Sequence, residues 1–304
     1  MGLSEDYLEY PRRRLGYDHD LYPWSALHER APVHWPGGAR VAVWVCISAE
    51  VFPLEPGDTP FRAPGHMATP YPDYRHYTAR DYGLRVGIGR LLDALAAVGA
   101  KGSVAANSAL AERAPGLLEE LVAAGHEIIA HSTDMNGTIA SGLAEAAERA
   151  LIAASLDGLE AATGTRPAGW LSIARSQSWN TPRLLEQAGV RYCCDWVNDE
   201  LPWRFGNGLI NLPLNHELSD RQVIATQQNS ADSYAQQVRD AYDLLDAEAL
   251  ASGGGRMLPI HLTPYISGLP YRIGAIEGLL RDLATRGAWF ARPSEILDAW
   301  ERSE

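Results

Sequence analysis

The feature that most constrains this chain is a rhythm. Short apolar runs end in polar or ionisable residues, and each gives way to a longer stretch with helical spacing. The first run, Arg40 to Ile47 (RVAVWVCI), is apolar almost throughout, as befits a strand covered on both faces. Similar runs recur at 102–106, 127–131, 169–173, 190–194, 209–214, 257–261 and 288–292. Helical stretches alternate with them, through Val86, Leu91, Leu92, Leu95 and Val98, then at 110–124, 143–163, 181–188, 231–251, 274–286 and 294–300. Parallel strands need a crossover between each pair. Seven or eight strand–helix units with no linker between halves therefore predict an α/β fold, a distorted (β/α)7–8 barrel over residues 39–304. Residues 1–38, rich in Tyr, Pro and charge, read as an N-terminal arm. Pro259 inside its run predicts an edge strand or a bulge. Residues 51–81 read as a long loop, with Arg62, His66 and His76 as residues of a lid.

Composition narrows the classes of function. A net charge of -12 argues against a nucleic-acid surface, which needs clustered Lys and Arg. The N-terminus has no apolar signal core and no run approaches a membrane span, so a soluble, cytoplasmic protein is expected. Cys46, Cys193 and Cys194 are too few and too apolar in setting for a disulfide framework. Gly87-Ile88-Gly89 lacks the third glycine and the preceding strand of a dinucleotide loop, and neither a P-loop nor HExxH is present. The expected partner is a small-molecule substrate. An arm such as 1–38 can serve a homo-oligomer, though nothing in the residues demands one.

Chemistry collects at the ends of the runs. Glu50, His131 with Asp134, Arg175, Asp195 with Asp199, and His261 all follow an apolar stretch. Each alone has a structural explanation as a helix cap, an ion-pair partner or a histidine bonded to a carbonyl. Two imidazoles, several carboxylates and a guanidinium on one barrel rim fit a hydrolytic centre better than a structural network. Trp170, Trp179, Trp196 and Trp203 lie at or beyond these ends, where they either wall a pocket around a flat ring or simply fill the core.

Four segments, RVAVWVCISAE, GHEIIAHS, RPAGWLSIARSQSWNTPRLLEQAGVRYCCDWVNDELP and MLPIHL, resemble in this order the polysaccharide deacetylase homology family. They are most similar to its branch of metal-independent allantoinases and cyclic-imide or amide hydrolases. The resemblance spans roughly residues 33–300. It implies a distorted barrel of the polysaccharide deacetylase type and hydrolysis of a non-peptide carbon–nitrogen bond. Residue by residue, it implies catalytic roles for Glu50, His131, Arg175 and His261, and it matches Asp195 and Trp196 to a further motif. Two departures bear on a metal. One of the family's two acidic positions is missing from Ser48-Ala49-Glu50, and the second of two histidines four residues apart is Met135. A thioether is a poor ligand for a hard or borderline dication.

The resulting expectation is side-chain acid–base hydrolysis of a small cyclic amide, ureide or imide, with no cofactor. Glu50 is the preferred base and Asp199 the second choice. Arg175 or His131 polarises the carbonyl and His261 protonates the leaving nitrogen. Ser48, Trp170, Trp179, Asp195 and Trp196 contact substrate. If a divalent metal such as zinc is bound, Glu50, His131 and Asp134 are its ligands. The alternatives are a metal-dependent N-deacetylase of a sugar or small metabolite, and an inactive, ligand-binding member of the family.

Overall fold

A computed structural model of the chain describes residues 19–55 and 72–304. Its spine is β1 (Val41–Ala49), a nine-residue strand with every residue buried. The other strands are β2 (Ser103–Ala106), β3 (Glu127–Ala130), β4 (Gly169–Trp170), β5 (Tyr192–Cys193), β6 (Trp203–Arg204), β7 (Ile210–Asn211), β8 (Arg256–Leu262) and β9 (Trp289–Phe290). They pair in the order β6-β7-β5-β4-β3-β2-β1-β8, parallel throughout except where β6 runs antiparallel to β7. On β1, the pairs Cys46↔Ser103 to Ala49↔Ala106 join β2, and Ala42↔Trp289 and Val43↔Phe290 join β9. The expected distorted barrel is thus a curled, open one: among the described residues β6 and β8 end the sheet unjoined to each other. Pro259 sits in β8, at that edge, where its missing N–H costs no second ladder. The short antiparallel β6 is an element that periodicity does not reveal, since two residues carry no alternation.

Alternation along β1 sorts its side chains into two layers. Val41, Val43, Val45, Ile47 and Ala49 face the helices, among them α1 (Ile88–Ala96), α2 (Glu145–Thr163), α3 (Ala231–Ser252) and α4 (Ile273–Thr285). Ala42, Trp44 and Cys46 point inward and meet Ala105, Ile129, Leu171, Tyr192, Cys194, Leu212 and Met257. The barrel therefore has a packed interior. Its N-terminal end is closed by Val33, Trp35, Trp289 and Trp300. Trp35 Nε1 donates to the Arg256 carbonyl at 2.8 Å, so the described part of the arm is docked there rather than loose.

Residues 51–81 are not one long loop. Tyr74–Tyr82 is helical, started by Asp73, whose carboxylate accepts from the His76 backbone N–H at 3.1 Å. It runs through a π-helical turn, Gly83–Gly87, into α1. A Cβ on Gly83 or Gly87 would come within 2.8 Å of Tyr265 N or 2.2 Å of the Pro264 carbonyl. The glycines of Gly87-Ile88-Gly89 thus include one that serves close packing, which brings the segment after β8 against this helix. His76 belongs to the helix, whereas Arg62 and His66 lie outside the described residues. Among the described residues no helix is long and apolar enough to cross a membrane.

Candidate active site

Two or four residues past an inward apolar side chain, three of the strands lead into polar ones. Ser48 and Glu50 follow Cys46 on β1, His131 follows Ile129 on β3, and His261 follows Met257 and Pro259 on β8. All four are buried. Burying ionisable groups is costly unless they pair, and these pair with one another.

The Glu50 carboxylate takes Arg221 Nη2 at 2.7 Å on Oε1 and the Tyr265 hydroxyl at 3.3 Å on Oε2. His131 Nε2 lies 3.8 Å from the same Oε1, within ion-pair range but too far for a direct hydrogen bond. Burial alone would raise the Glu50 pKa. The Arg221 charge, with His131, outweighs it and holds the carboxyl down at about 2. His131 Nδ1 is 2.6 Å from the Leu171 carbonyl, an acceptor, so Nδ1 carries the proton and Nε2 faces Glu50. Asn107 braces the two strand tips: its Oδ1 accepts from Val51 N at 2.7 Å, and its Nδ2 donates to the His131 carbonyl.

His261 Nε2 sits 2.8 Å from Ser48 Oγ. Burial, reinforced by Arg175 and Arg221, pushes the His261 pKa well below its ordinary value, so the ring is neutral at pH 7. The neutral ring shares a hydrogen bond with the Ser48 hydroxyl. Arg175 reaches the mouth on a distorted backbone, with φ of 54° at Ala174 and 55° at Arg175. Its Nη2 donates to the Leu214 carbonyl at 2.9 Å and its Nη1 to His216 Nδ1 at 3.2 Å. Ser132, after β3, also has a left-handed φ of 65°. Non-glycine residues are held there only where the surroundings enforce it, and such positions cluster at functional sites.

Other expected site residues fall elsewhere. Asp199 is not brought to Glu50: it pairs with Arg30 beside a groove of about 700 Å³ lined by Tyr22, Trp24, Trp203 and Trp300. None of the four mouth residues lines that groove. Asp195 accepts from Ser172 N at 2.7 Å and Ser172 Oγ at 2.8 Å, bracing the β4 tip, and burial raises its pKa. Trp170 is fully buried on the helix-facing side, and Trp196 packs edge-to-face against Tyr22, Trp203 and Phe205. Trp179 is 41% exposed. Trp170 is thus part of the core, and Trp196 and Trp203 belong to an aromatic cluster with Tyr22 and Phe205.

Arg221, Tyr265 and Asp220 are site residues the sequence reading missed. Tyr265 lies four residues past His261, so the rule that strand tips carry chemistry could have found it. Arg221 lies seven residues past Leu214 and has no local signal. Asp220 Oδ2 accepts from Thr263 N at 2.7 Å and Ser267 Oγ at 2.6 Å, tying the Arg221 turn to the β8 tip; burial raises its pKa to about 6.

The fold family implies a divalent metal, and the donor set tests that. Glu50 and His131 are in place, but Met135, buried, brings a thioether. Asp134 is engaged in a turn, its Oδ1 accepting from Asn136 N at 2.7 Å. Among the described residues no group of three His, Cys, Asp or Glu is arranged to hold a metal ion. The Glu50 charge is already matched by Arg221. A dication ~4 Å from that guanidinium would meet repulsion on the order of 8 kcal/mol at an effective dielectric of about 20. The residues present do not fit a catalytic metal.

Comparison with known proteins agrees with this architecture. The family model described as polysaccharide deacetylase matches residues 68–193. No curated protein matches the chain. Among solved structures, Puue allantoinase is 27% identical, with 97% of this chain and 98% of that one covered and a TM-score of 0.81. A protein described as a probable polysaccharide deacetylase from Pseudomonas aeruginosa PAO1 is 28% identical, with 92% and 98% covered and a TM-score of 0.80. Fold and matches define a carbon–nitrogen hydrolase of the deacetylase type. Over the matched segment the chain is similar to the polysaccharide deacetylase family, and its solved neighbours include an allantoinase.

Proposed function

We propose that this hydrolase opens a small cyclic amide, ureide or imide by side-chain acid–base catalysis. The observation that carries the reading is His131: Nδ1 is fixed by the Leu171 carbonyl, and Nε2 is turned into the mouth beside a carboxylate. In the reaction, Nε2 takes a proton from water as the water oxygen bonds to the carbonyl carbon. The carbonyl oxygen becomes anionic beside the Arg175 guanidinium. The carbon–nitrogen bond then breaks, and the departing nitrogen receives the proton held on His131. A carboxyl held near 2 is a weak proton acceptor at pH 7, so the base role expected of Glu50 passes to His131, whose imidazolium Glu50 stabilises. General acid–base help is typically worth about 10²–10⁴-fold, and preorganised donors at an oxyanion about 10²–10³-fold. Totals of this size suit a strained or activated ring amide better than a plain acetamide, whose poor leaving group benefits most from a Lewis acid. The 27% identity to Puue allantoinase over nearly the whole chain supports the same class of substrate. The test is a screen of purified protein against hydantoins, ureides and cyclic imides alongside N-acetyl sugars. Turnover of a ring amide is expected; turnover of the sugars alone would overturn the reading.

A further inference from the structure

The mouth holds one cation that neither the family resemblance nor the strand tips supply. Arg221 opens a short π-helical turn, Arg221–Thr226, which Asp220 clamps to the β8 tip through Thr263 N and Ser267 Oγ. The guanidinium is thereby set on Glu50 Oε1 at 2.7 Å and on Thr263 Oγ1 at 3.5 Å, with its carbon 5.8 Å from the Tyr265 ring centre. His131 Nε2 approaches that same carboxylate oxygen. The arginine and glutamate side chains are 12% and 4% exposed, so the pair is held away from bulk water.

We propose that Arg221 is the resident cation of this site. Its guanidinium occupies, in charge and in place, the position that a divalent ion would need beside Glu50 and His131. Three observations converge on this. Glu50 stands at an acidic position of the family motif and spends its charge on Arg221. Met135 stands where the second histidine ligand would be, so the ligand set lacks a donor while Arg221 adds a charge. The Asp220 clamp fixes the turn that carries the guanidinium, as a permanent charge requires. Arg221 is thus a positioning residue: it holds the Glu50 carboxylate in the orientation that faces His131. A planar fork suits that task better than an ammonium.

The test has two arms. The first, kinetic arm rests on the ring-amide reading. Arg221→Ala is expected to lower kcat at least 100-fold with KM within about threefold, to keep a folded circular-dichroism spectrum, and to regain at least tenfold of the loss with added guanidine but not with ammonium. Undiminished turnover, or a loss that guanidine fails to restore in a folded protein, would overturn the proposal. The second arm needs no substrate and stands even if that reading fails. Calorimetric titration with zinc alone is expected to show at least tenfold tighter binding to Arg221→Ala than to the unmutated protein, with the gain lost in Arg221→Ala/Glu50→Gln. Equal zinc affinity in the unmutated protein and Arg221→Ala, or a gain that survives the Glu50 change, would contradict it.

Discussion

The two ends of the barrel are made by the same strands and carry opposite chemistry. At the N-terminal end the interior closes on Val33, Trp35, Trp289 and Trp300. At the C-terminal end, one or two inward positions further along each strand, it closes on Ser48, Glu50, His131 and His261, with Arg175 and Arg221 folded over them. The connecting turns differ in the same sense. Turns that lead up into strands place Gly99, Gly125, Gly164, Gly189, Gly253 and Gly287 at positive φ, where glycine has no Cβ to clash. The loops at the mouth also put non-glycine residues there: Ser132, Ala174 and Arg175. One end is built for low energy. The other retains buried charge and strained backbone, the combination expected where activity rather than stability decides the residues.

That contrast can be broken or sharpened by experiment. The largest expected effect is at the mouth: His131→Ala should lower kcat/KM for a ring amide by about 10²–10⁴-fold with little change in melting temperature. Activity within threefold of the unmutated protein would erase the distinction. At the closed end the pattern should invert. Trp35→Ala should cost about 3–5 kcal/mol in denaturant unfolding and leave kcat/KM of the folded fraction unchanged. A large kinetic effect there would mean the two ends are not separable.

A subtler difference is acid sensitivity. Glu50 titrates at about 2 in the folded protein against an ordinary 4.5. Between those values the unfolded chain binds the additional proton, so stability rises with pH across the window. The contribution is complete above 4.5 and is lost as pH falls through about 2; it amounts to about 3 kcal/mol. Glu50→Gln should flatten that part of the stability curve in chemical denaturation at stepped pH, and an unchanged slope would count against the buried ion pair. The smallest effect belongs to Asp199, which lies beside the outer groove with Arg30. Asp199→Asn should change kcat/KM less than twofold and stability by about 1 kcal/mol or less.

How much of this was legible depends on range. The alternation of apolar runs and helical stripes carried the parallel sheet, because a strand buried on both faces has no other composition open to it. Position at the end of an apolar run carried Glu50, His131 and His261, and strand alternation explains why they face inward: a side chain an even number of residues past an inward apolar one points the same way. Asp199, the second choice of base, was read from the same position at the end of a run, and the structure pairs it with Arg30. Beyond Asp195 the chain leaves the sheet, Arg30 of the arm captures the carboxylate, and parity no longer says which way a side chain faces. Arg221 was invisible for a related reason. Its place depends on Asp220 binding Thr263 and Ser267 more than 40 residues away, and no local pattern encodes that clamp. The helix at Tyr74–Tyr82 was hidden by polarity: Arg, His, Thr and Asp fill it, and its partner is a segment 180–190 residues later.

The most direct measurement is steady-state hydrolysis of a hydantoin or cyclic imide by protein purified without added metal, set beside His131→Ala. The account expects turnover by the unmutated protein that chelator does not diminish, and less than one-hundredth of it in the variant. Equal rates in the two proteins, or activity that appears only on N-acetyl sugars after zinc is added, would contradict it.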